Sequence, residues 1–261
     1  MIHIGSISSG LSSAVMCDRL LQKHPDALLV FEDVLFEDED NYRFLADCEK
    51  RWNKKIIRLT EGRTPYEVSR AHRVIPNSLL APCSFRLKVD LFKKWLLTLE
   101  DRDITIHIGF DYTEFERMER TTKAYVKEGY KTDYPLEWEP REYRPYSLVV
   151  KEDWGIKPPR MYGLGYTHAN CGGRCCKQGQ GDWIRTLINF PERYAEIEEW
   201  ERDMRKLSEK HGKRTILKRI NKGIVEELTL EKLRLEYENN PQISFMDMDK
   251  ESPCVVCGIG F

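Results

Sequence analysis

An α/β fold built on a parallel sheet is the fold class that the sequence predicts, from three observations. Apolar segments of strand length recur along the first 110 residues, segments with helical periodicity stand between them, and Gly, Ser, Asp or Asn marks most junctions. Strands that alternate with helices favour parallel pairing through right-handed crossovers. With 261 residues, the chain can bury the core of one large domain with additions.

Four apolar segments in the first half have the length of buried strands. Strands are expected over residues 1–7, 27–31, 55–59 and 104–110, and helices over residues 11–21, 41–52 and 87–99. One more strand is expected at residues 147–150. Further along, helices are expected over residues 183–211 and 229–239. We therefore expect an α/β domain over residues 1–160 and a cysteine-rich helical extension over residues 161–261, which packs on that domain and is not independent.

Composition excludes several classes of function. The chain has 42 basic and 43 acidic residues, so no net field draws it to nucleic acid or to an anionic membrane. No apolar run approaches the roughly 20 residues that span a bilayer, and no leader-like segment opens the chain. We expect a cytoplasmic protein without a membrane partner. Its eight cysteines are then expected in metal ligation or redox chemistry rather than in disulfides.

The segment after the first strand has the composition of a phosphate-binding loop. Gly10 allows close approach of the backbone to a ligand at a helix start, where N–H groups are unpaired. Hydroxyl donors are supplied by Ser6, Ser8, Ser9, Ser12 and Ser13. The alternative is a serine-capped helix that binds nothing. The loop is neither GxGxxG nor GxxxxGK[ST], which disfavours a Rossmann dinucleotide site and an ordinary P-loop.

Five cysteines stand in two groups whose spacing is typical of metal sites. Cys171, Cys175 and Cys176 lie in CGGRCC, and Cys254 and Cys257 lie in CVVC. Zinc or an iron–sulfur cluster needs about four thiolates, so one site could be closed by distant parts of the chain. The alternative is a set of buried thiols that bind no metal. His168 is a further candidate as a ligand or proton donor, whereas Cys17 and Cys48 lie on apolar helix faces and are expected in the core.

The order of several motifs makes the chain resemble a known family. These motifs are SISSGLSSAV, VFEDVLFE, PCSFRLK, IGFDYTEFER and THANCGGRCCKQGQGDW. The chain resembles the phosphoadenylyl-sulfate (PAPS) reductase family of the adenine nucleotide alpha hydrolase-like (PP-loop) superfamily, in particular its branch from phages and mobile elements. The resemblance implies a five-stranded, parallel, Rossmann-like sheet of the HUP type. It also implies that the first loop holds the phosphates of ATP or an adenylyl nucleotide, and that Phe31 and nearby backbone contact adenine.

Further site residues follow from the resemblance. Asp33 and Glu37 occupy the positions of an acidic pair that holds Mg²⁺ on phosphates, and an exposed acidic loop is the alternative. Lys88, Glu114 and Arg117 occupy positions that clamp phosphate or the leaving group, and a charged surface helix is the alternative.

The loop departs from the SGGxDS form of the ATP pyrophosphatases. Ser9 replaces its first glycine and Ser12 its aspartate, as in sulfonucleotide reductases, so whether ATP is cleaved stays open.

The resemblance also implies a metal centre. A 4Fe–4S cluster would be held by Cys175, Cys176, Cys254 and Cys257, and a competing set uses Cys171 with Cys175 and leaves Cys176 unligated. Zinc is the alternative metal. The family's reductases carry a nucleophilic cysteine beyond their CxxC, and no cysteine follows Cys257 here, which weakens the reductase reading.

The leading hypothesis is an enzyme of ATP-dependent sulfur transfer, or thiolation. It would use a sulfur donor and a nucleic-acid or small-molecule acceptor, and Cys83 would carry sulfur if Arg86 or Lys88 lowers its pKa. One alternative is a sulfonucleotide reductase acting on PAPS or adenylyl sulfate. The other is a non-enzymatic nucleotide-binding or nucleic-acid-binding module with structural zinc. The oligomeric state is open, with a homodimer as one expectation.

Overall fold

The computed structural model describes residues 1–207, 209–221 and 224–241. These residues form two compact units. The first contains residues 1–62 and 84–160, and the second contains residues 63–83 together with the described residues from 161 onward. The predicted boundary near residue 160, and the dependence of the later region on the first domain, stay predictions.

The first unit is built on one five-stranded sheet. Its strands are β1 (Ile2–Ser6), β2 (Leu28–Glu32), β3 (Ile56–Leu59), β4 (Ile104–His107) and β5 (Lys131–Asp133). They run in the order β3-β2-β1-β4-β5, and every neighbouring pair is parallel. The predicted parallel sheet is confirmed. Because the chain moves outward from β1 in both directions, the strand order reverses between β1 and β4, where ligands bind in open α/β sheets.

Helices follow the strands and continue through the second unit. They are α1 (Leu11–Lys23), α2 (Glu39–Trp52), α3 (Pro65–Ala71), α4 (Pro82–Ser84), α5 (Asp90–Leu96), α6 (Phe115–Lys127), α7 (Tyr146–Leu148), α8 (Arg160–Gly163), α9 (Gln180–Asn189), α10 (Pro191–Lys206), α11 (Glu209–Gly212) and α12 (Leu230–Asn239). A π-helical turn, Phe85–Val89, leads into α5. Among the described helices, none has both the length and the apolar character needed to cross a bilayer.

The core of the first unit lies against the central strands. Ile4, Val30 and Ile106 come from β1, β2 and β4, and they pack with Phe92 of α5 and Tyr125 of α6. Strands that are covered on both faces read as continuous apolar runs, which is why these segments could be recognised from the sequence. The expectation that Cys17 and Cys48 lie in the core is confirmed, because both side chains are fully buried.

Two elements differ from the expectation. Residues 147–150 were expected to form a strand, but Tyr146–Leu148 is helical and Val149–Asp153 continues as a π-helical turn. Pro145 occupies the N-cap of this segment, and a proline near the first turn favours a helix start. In the second unit, the hairpin of β6 (Leu217–Asn221) and β7 (Ile224–Leu228) was not expected. The helix expected over residues 229–239 is confirmed as α12.

Three histidines of the first unit form a cluster beside the sheet. His3 Nδ1 lies 2.9 Å from His107 Nε2, and the rings of His3 and His24 stack with centroids 3.6 Å apart. Burial lowers the pKa of His107 to about 4, although Asp133 lies 3.6 Å away and opposes the shift. Burial and the neighbouring His24 also lower the pKa of His3. The folded state therefore resists protonation of His3 and His107.

We expect His107 to contribute a loss in the free energy of unfolding as the pH is lowered from about 6.5 to about 4. In that window the unfolded chain binds protons that folded His107 rejects, which costs up to about 3 kcal/mol. Urea unfolding at pH 7.5 and pH 5 measures the loss.

Glu32 acts in the opposite direction, since its pKa is raised, so the comparison is made against His107→Gln. On acidification, His107→Gln should lose less stability than the wild type. The exposed control His72→Gln should lose as much stability as the wild type. Equal losses in all three proteins would contradict the expectation.

Candidate nucleotide site and thiol cluster

The serine-rich loop of the first unit lies between β1 and α1, at the reversal of strand order. Ser9 adopts a left-handed backbone with φ 60°, and Gly10 is the N-cap residue of α1. Within the loop, the Ser8 N–H donates to Ser13 Oγ at 3.0 Å, and the Ser13 hydroxyl donates to the Gly10 carbonyl at 3.0 Å. Because Gly10 carries no side chain, it leaves the helix start without a side-chain cap. The predicted loop-and-helix arrangement is present and its shape is fixed by its own hydroxyl groups.

The serines of the loop differ in exposure. Ser6, Ser9 and Ser13 are buried, whereas Ser8 and Ser12 are half-buried. The buried hydroxyls shape the loop, and the half-buried ones can reach a ligand.

A buried asparagine that the sequence analysis did not single out holds this loop. Asn41 of α2 is fully buried, and its amide nitrogen lies 3.2 Å from Ser9 Oγ and 3.2 Å from Glu37 Oε2. The loop after β1 is thus hydrogen-bonded to the segment after β2. The dense polar run EDVLFEDEDN was the available signal, but sequence alone does not show which of its members turns inward.

A glycine after β4 also touches the loop. A Cβ atom added to Gly109 would lie 2.9 Å from Ser13 Cα, closer than Cβ atoms approach other atoms in proteins, and a tight 3.1 Å from Ser13 N. Only glycine therefore allows the segment after β4 to pass against the first turn of α1. Gly109 belongs to the motif IGFDYTEFER, but the sequence alone does not reveal this steric role.

The acidic residues after β2 are not a simple exposed loop. Glu37 and Asp38 are both buried, and Asp38 Oδ1 lies 2.8 Å from Arg160 Nε. Asp33 accepts hydrogen bonds at 2.8 Å from the Leu35 N–H and the Tyr42 hydroxyl. The structure brings Glu37 to the serine loop through Asn41, whereas Asp33 orders its own turn.

The ring of Phe31 is fully buried and lies edge-on to Tyr42, with centroids 6.4 Å apart. The contact of Phe31 and its nearby backbone with adenine stays a prediction.

Lys88 lies in the π-helical turn and is buried, close to Glu32 at the carboxyl end of β2. Burial raises the pKa of Glu32 to about 8, although the charge of Lys88 opposes the shift. At neutral pH this carboxyl group is therefore mostly protonated. Its Oε1 atom has no hydrogen-bond partner among the described residues. Glu32 was not predicted as a site residue, because the sequence does not distinguish it from the other acidic residues that follow β2.

Glu114 and Arg117 are brought together. The two side chains form an ion pair, and the Arg117 guanidinium also lies 4.2 Å from the centre of the Phe110 ring. Burial raises the pKa of Glu114 despite this pairing. The predicted motif is therefore a partly buried cation with its own counter-ion beside the end of β4, rather than a fully exposed charged surface.

The second unit contains a thiol cluster, which we define as Cys83, Cys171, Cys175 and Cys176. The thiol of Cys176 is in hydrogen-bond contact with those of Cys175 and Cys83, and these contacts with burial raise its pKa well above the ordinary value. Buried Tyr66 lies within the electrostatic range of all four thiols. No disulfide links the described cysteines. The expected role of Cys83 as a sulfur carrier, with its pKa lowered by Arg86 or Lys88, stays a prediction.

The loop that carries three of these thiols has an unusual backbone. Cys171, Gly172 and Gly173 all have positive φ values, of 55°, 55° and 79°. Side-chain donors form hydrogen bonds to four successive backbone carbonyl groups of this loop, those of residues 171–174. The donors are Arg174 Nε to Cys171 at 3.5 Å, Arg193 to Gly172 at 3.0 Å, Gln178 and Thr186 to Gly173 at 2.7 and 2.5 Å, and the Tyr66 hydroxyl to Arg174 at 2.9 Å. This network keeps the left-handed loop in one shape.

His168 is buried next to this loop in sequence. Its Nδ1 accepts a hydrogen bond from the Asn170 N–H at 3.3 Å, and its Nε2 has no partner among the described residues. With Nδ1 as acceptor, the neutral ring carries its proton on Nε2. Metal binding through Nε2 would need the other tautomer, so this geometry favours the expected donor role over the ligand role.

The predicted metal set is only partly within the described residues. Cys254 and Cys257 lie outside them. Among the residues that the structure describes, no group of three or more His, Cys, Asp and Glu side chains is arranged to hold a metal ion. The metal centre and its ligands therefore stay a prediction.

No family model and no curated protein matches the chain. Among solved structures, the fold is similar to that of a phosphoadenylyl-sulfate (PAPS) reductase from Candida auris in a phosphate complex. The similarity covers 64% of this chain and 79% of that one, with 15% sequence identity and a TM-score of 0.43.

Proposed function

We propose that this protein binds ATP or an adenylyl nucleotide in the serine-rich loop and uses it for sulfur chemistry, as an ATP-dependent sulfur transfer enzyme. The observation that carries the proposal is the loop itself. It stands at the reversal of strand order, it ends at a helix start whose N-cap residue is Gly10, and Asn41 and Gly109 both fix its position.

The charges around the sheet suit a phosphate ligand. Lys88 and Arg117 are cations at the carboxyl ends of β2 and β4, and both are mostly buried, which strengthens their interaction with an anion. Half-buried Ser8 and Ser12 offer hydroxyl donors. Glu37, together with Asp33, would hold a magnesium ion, which would neutralise phosphate charge when bound. Neutral Glu32 beside Lys88 can keep or give up a proton near pH 8.

A metal centre remains part of the proposal. In this proposal Cys254 and Cys257 supply part of the ligand set, with Cys171 and Cys175 or with Cys175 and Cys176. Four thiolates suit a 4Fe–4S cluster or zinc. A bound cluster would supply sulfur activation or electron transfer, and zinc would supply rigidity. A sulfur donor, and a nucleic-acid or small-molecule acceptor, are the partners that this chemistry requires.

Sulfonucleotide reduction is the second candidate. The loop lacks the aspartate of the ATP pyrophosphatases, because Ser12 stands in its place, and this composition favours a nucleotide that is not cleaved at its phosphates. The two candidates release different products, namely AMP and pyrophosphate in one case and sulfite in the other.

Calorimetric titration with ATP, AMP and PAPS, followed by product analysis, tests the proposal. We expect saturable binding of at least one adenine nucleotide, and release of AMP and pyrophosphate without sulfite when ATP, sulfide and an acceptor are supplied. Sulfite release from PAPS in the presence of a dithiol reductant would instead establish the reductase. Absence of binding for every adenine nucleotide tested would contradict both and leave a module of another kind.

A further inference from the structure

The second unit collects exposed cations from two segments that lie far apart in sequence. We call this region the basic surface and define it by five exposed side chains, those of Arg70, Arg73, Lys210, Lys213 and Arg214. The first two stand at the end of α3, and the other three stand in α11 and in the segment that leads from it to β6. The sequence has no acidic residue from position 210 to position 225, although the chain as a whole is close to neutral.

Hydrogen bonds join the two segments. The His211 ring donates through Nε2 to the Arg73 carbonyl at 2.5 Å. The Arg214 N–H donates to the His211 carbonyl at 2.9 Å, and the Arg214 carbonyl accepts from the guanidinium of Arg205, in the last turn of α10. The backbones that carry Arg73 and Arg214 are therefore linked through His211, and their cations start from neighbouring positions of one surface.

Arg73 has a backbone conformation that costs energy. Its φ is 50°, in the left-handed region that favours glycine, and it directly follows His72, the C-cap residue of α3. Glycine would end the helix here without that cost. The arginine side chain is exposed, so burial in the core does not offset the strain. A strained residue that packing does not explain is a candidate for binding.

Helix ends explain only part of the basic surface. Arg70 and Lys210 lie in the last turns of α3 and α11, where a cation offsets the negative end of the helix. Arg73, Lys213 and Arg214 lie beyond those helices. Among the residues that the structure describes, no carboxylate forms an ion pair with Arg73 or Arg214. The surface therefore presents positive charge that is suited to a polyanion.

We propose that the basic surface binds the phosphate backbone of a nucleic acid. Three of its five cations are arginines, whose planar guanidinium groups form paired hydrogen bonds to phosphate. The β6–β7 hairpin begins shortly after Arg214, and two-stranded ribbons fit nucleic-acid grooves. An anionic membrane fits less well, because proteins that lie on membranes place their cations along an amphipathic helix, whereas these cations stand at helix ends and in turns.

This inference deepens the proposed function and rests on it in one respect, since it assigns a nucleic acid, rather than a small molecule, as the sulfur acceptor. Binding at the basic surface itself requires neither ATP nor a metal. Contacts to phosphate carry no sequence information, so we expect binding with little sequence preference and a strong dependence on salt.

Fluorescence anisotropy with the full-length protein tests the inference, with labelled duplex DNA, single-stranded DNA and RNA of mixed sequence as probes. We expect saturable binding of at least one probe in the absence of ATP, and the three probes distinguish DNA from RNA. Lys213→Gln combined with Arg214→Gln should weaken binding about tenfold or more, and should reduce the slope of log affinity against log salt by about 1.5 to 2.

The matched control is Lys50→Gln combined with Lys127→Gln. It removes the same charge from exposed positions of the first unit, so it should bind as the wild type does. Arg73→Gly separates binding from stability. Because glycine adopts the left-handed conformation without strain, this variant should be at least as resistant to urea as the wild type and yet bind the probe more weakly.

Three outcomes would overturn the inference. The first is no saturable binding of any probe at low salt, and the second is equal affinity of the Lys213 and Arg214 double variant and its matched control, with native circular dichroism in both. The third is tighter binding to phosphatidylserine vesicles than to every nucleic-acid probe, which would assign the surface to a membrane. Calorimetric titration of the same samples with adenine nucleotides keeps the two proposals apart. A protein that binds nucleic acid but no adenine nucleotide would contradict the proposed function and support the basic surface.

Discussion

Replacing Ser9 with valine is expected to abolish adenine-nucleotide binding and to lower the free energy of unfolding by about 2–4 kcal/mol. Ser9 has φ 60°, a left-handed conformation that a β-branched residue adopts only at high cost. The side chain is fully buried and its hydroxyl receives a hydrogen bond from Asn41, which valine would leave without that acceptor. The loop would therefore change its backbone, and the phosphate cradle would change with it. Urea unfolding and calorimetric titration with ATP measure the two effects.

The matched variant Ser9→Gly separates backbone conformation from the hydroxyl group. Glycine adopts the left-handed conformation without strain, so this variant should keep the fold and lose only the contribution of one hydrogen bond, about 1 kcal/mol. If Ser9→Val and Ser9→Gly bound ATP with the same affinity as the wild type, the loop would not be the nucleotide site.

Replacing Gly109 with valine is expected to weaken nucleotide affinity at least tenfold, which corresponds to about 1.4 kcal/mol, and to destabilise the first unit by about 1–3 kcal/mol. The first added carbon would already lie 2.9 Å from Ser13 Cα, and that neighbour is backbone that cannot rotate away. Relief requires a shift of the α1 start relative to β4. The helix start is the part of the site that would face phosphate, so a small shift there misplaces its N–H groups.

Gly109→Ala should have the same effects to a smaller degree, because its Cβ meets the same atoms. Gly163→Ala is the control, since nothing lies within 4 Å of a Cβ at that position. Unchanged affinity and stability in Gly109→Val would show that the segment after β4 does not support the loop.

Much of the fold follows from local patterns. Apolar runs such as ALLVF and ITIHI are long enough for buried strands and too short for helices, and helical patterns between them leave parallel pairing as the consistent arrangement. The segment at residues 147–150 shows the limit of this reasoning. Val149 and Val150 have the composition of a strand, but Pro145 begins a helix and the two valines are buried from helical positions.

The site was predictable where it is local and not where it depends on tertiary contacts. The serine loop follows from one strand and one helix start, so sequence could locate it. Asn41 lies after β2 and Gly109 lies after β4. Both contact the serine-rich loop only because the folded sheet brings these segments together. For the same reason, spacing grouped the cysteines of CGGRCC with one another and did not reveal the contact between Cys83 and Cys176.

The hydrogen bonds from side chains to the carbonyl groups of the CGGRCC loop have a consequence for how the protein folds. The donors stand on α3, α9 and α10 as well as in the loop itself, so the loop has no stable shape until those helices have assembled. Contacts that close long stretches of chain form late during folding. Newly synthesised chains would therefore expose their sulfur atoms to mispairing for most of the folding time, and renaturation should recover more protein when an excess of reductant is present until the helices have docked.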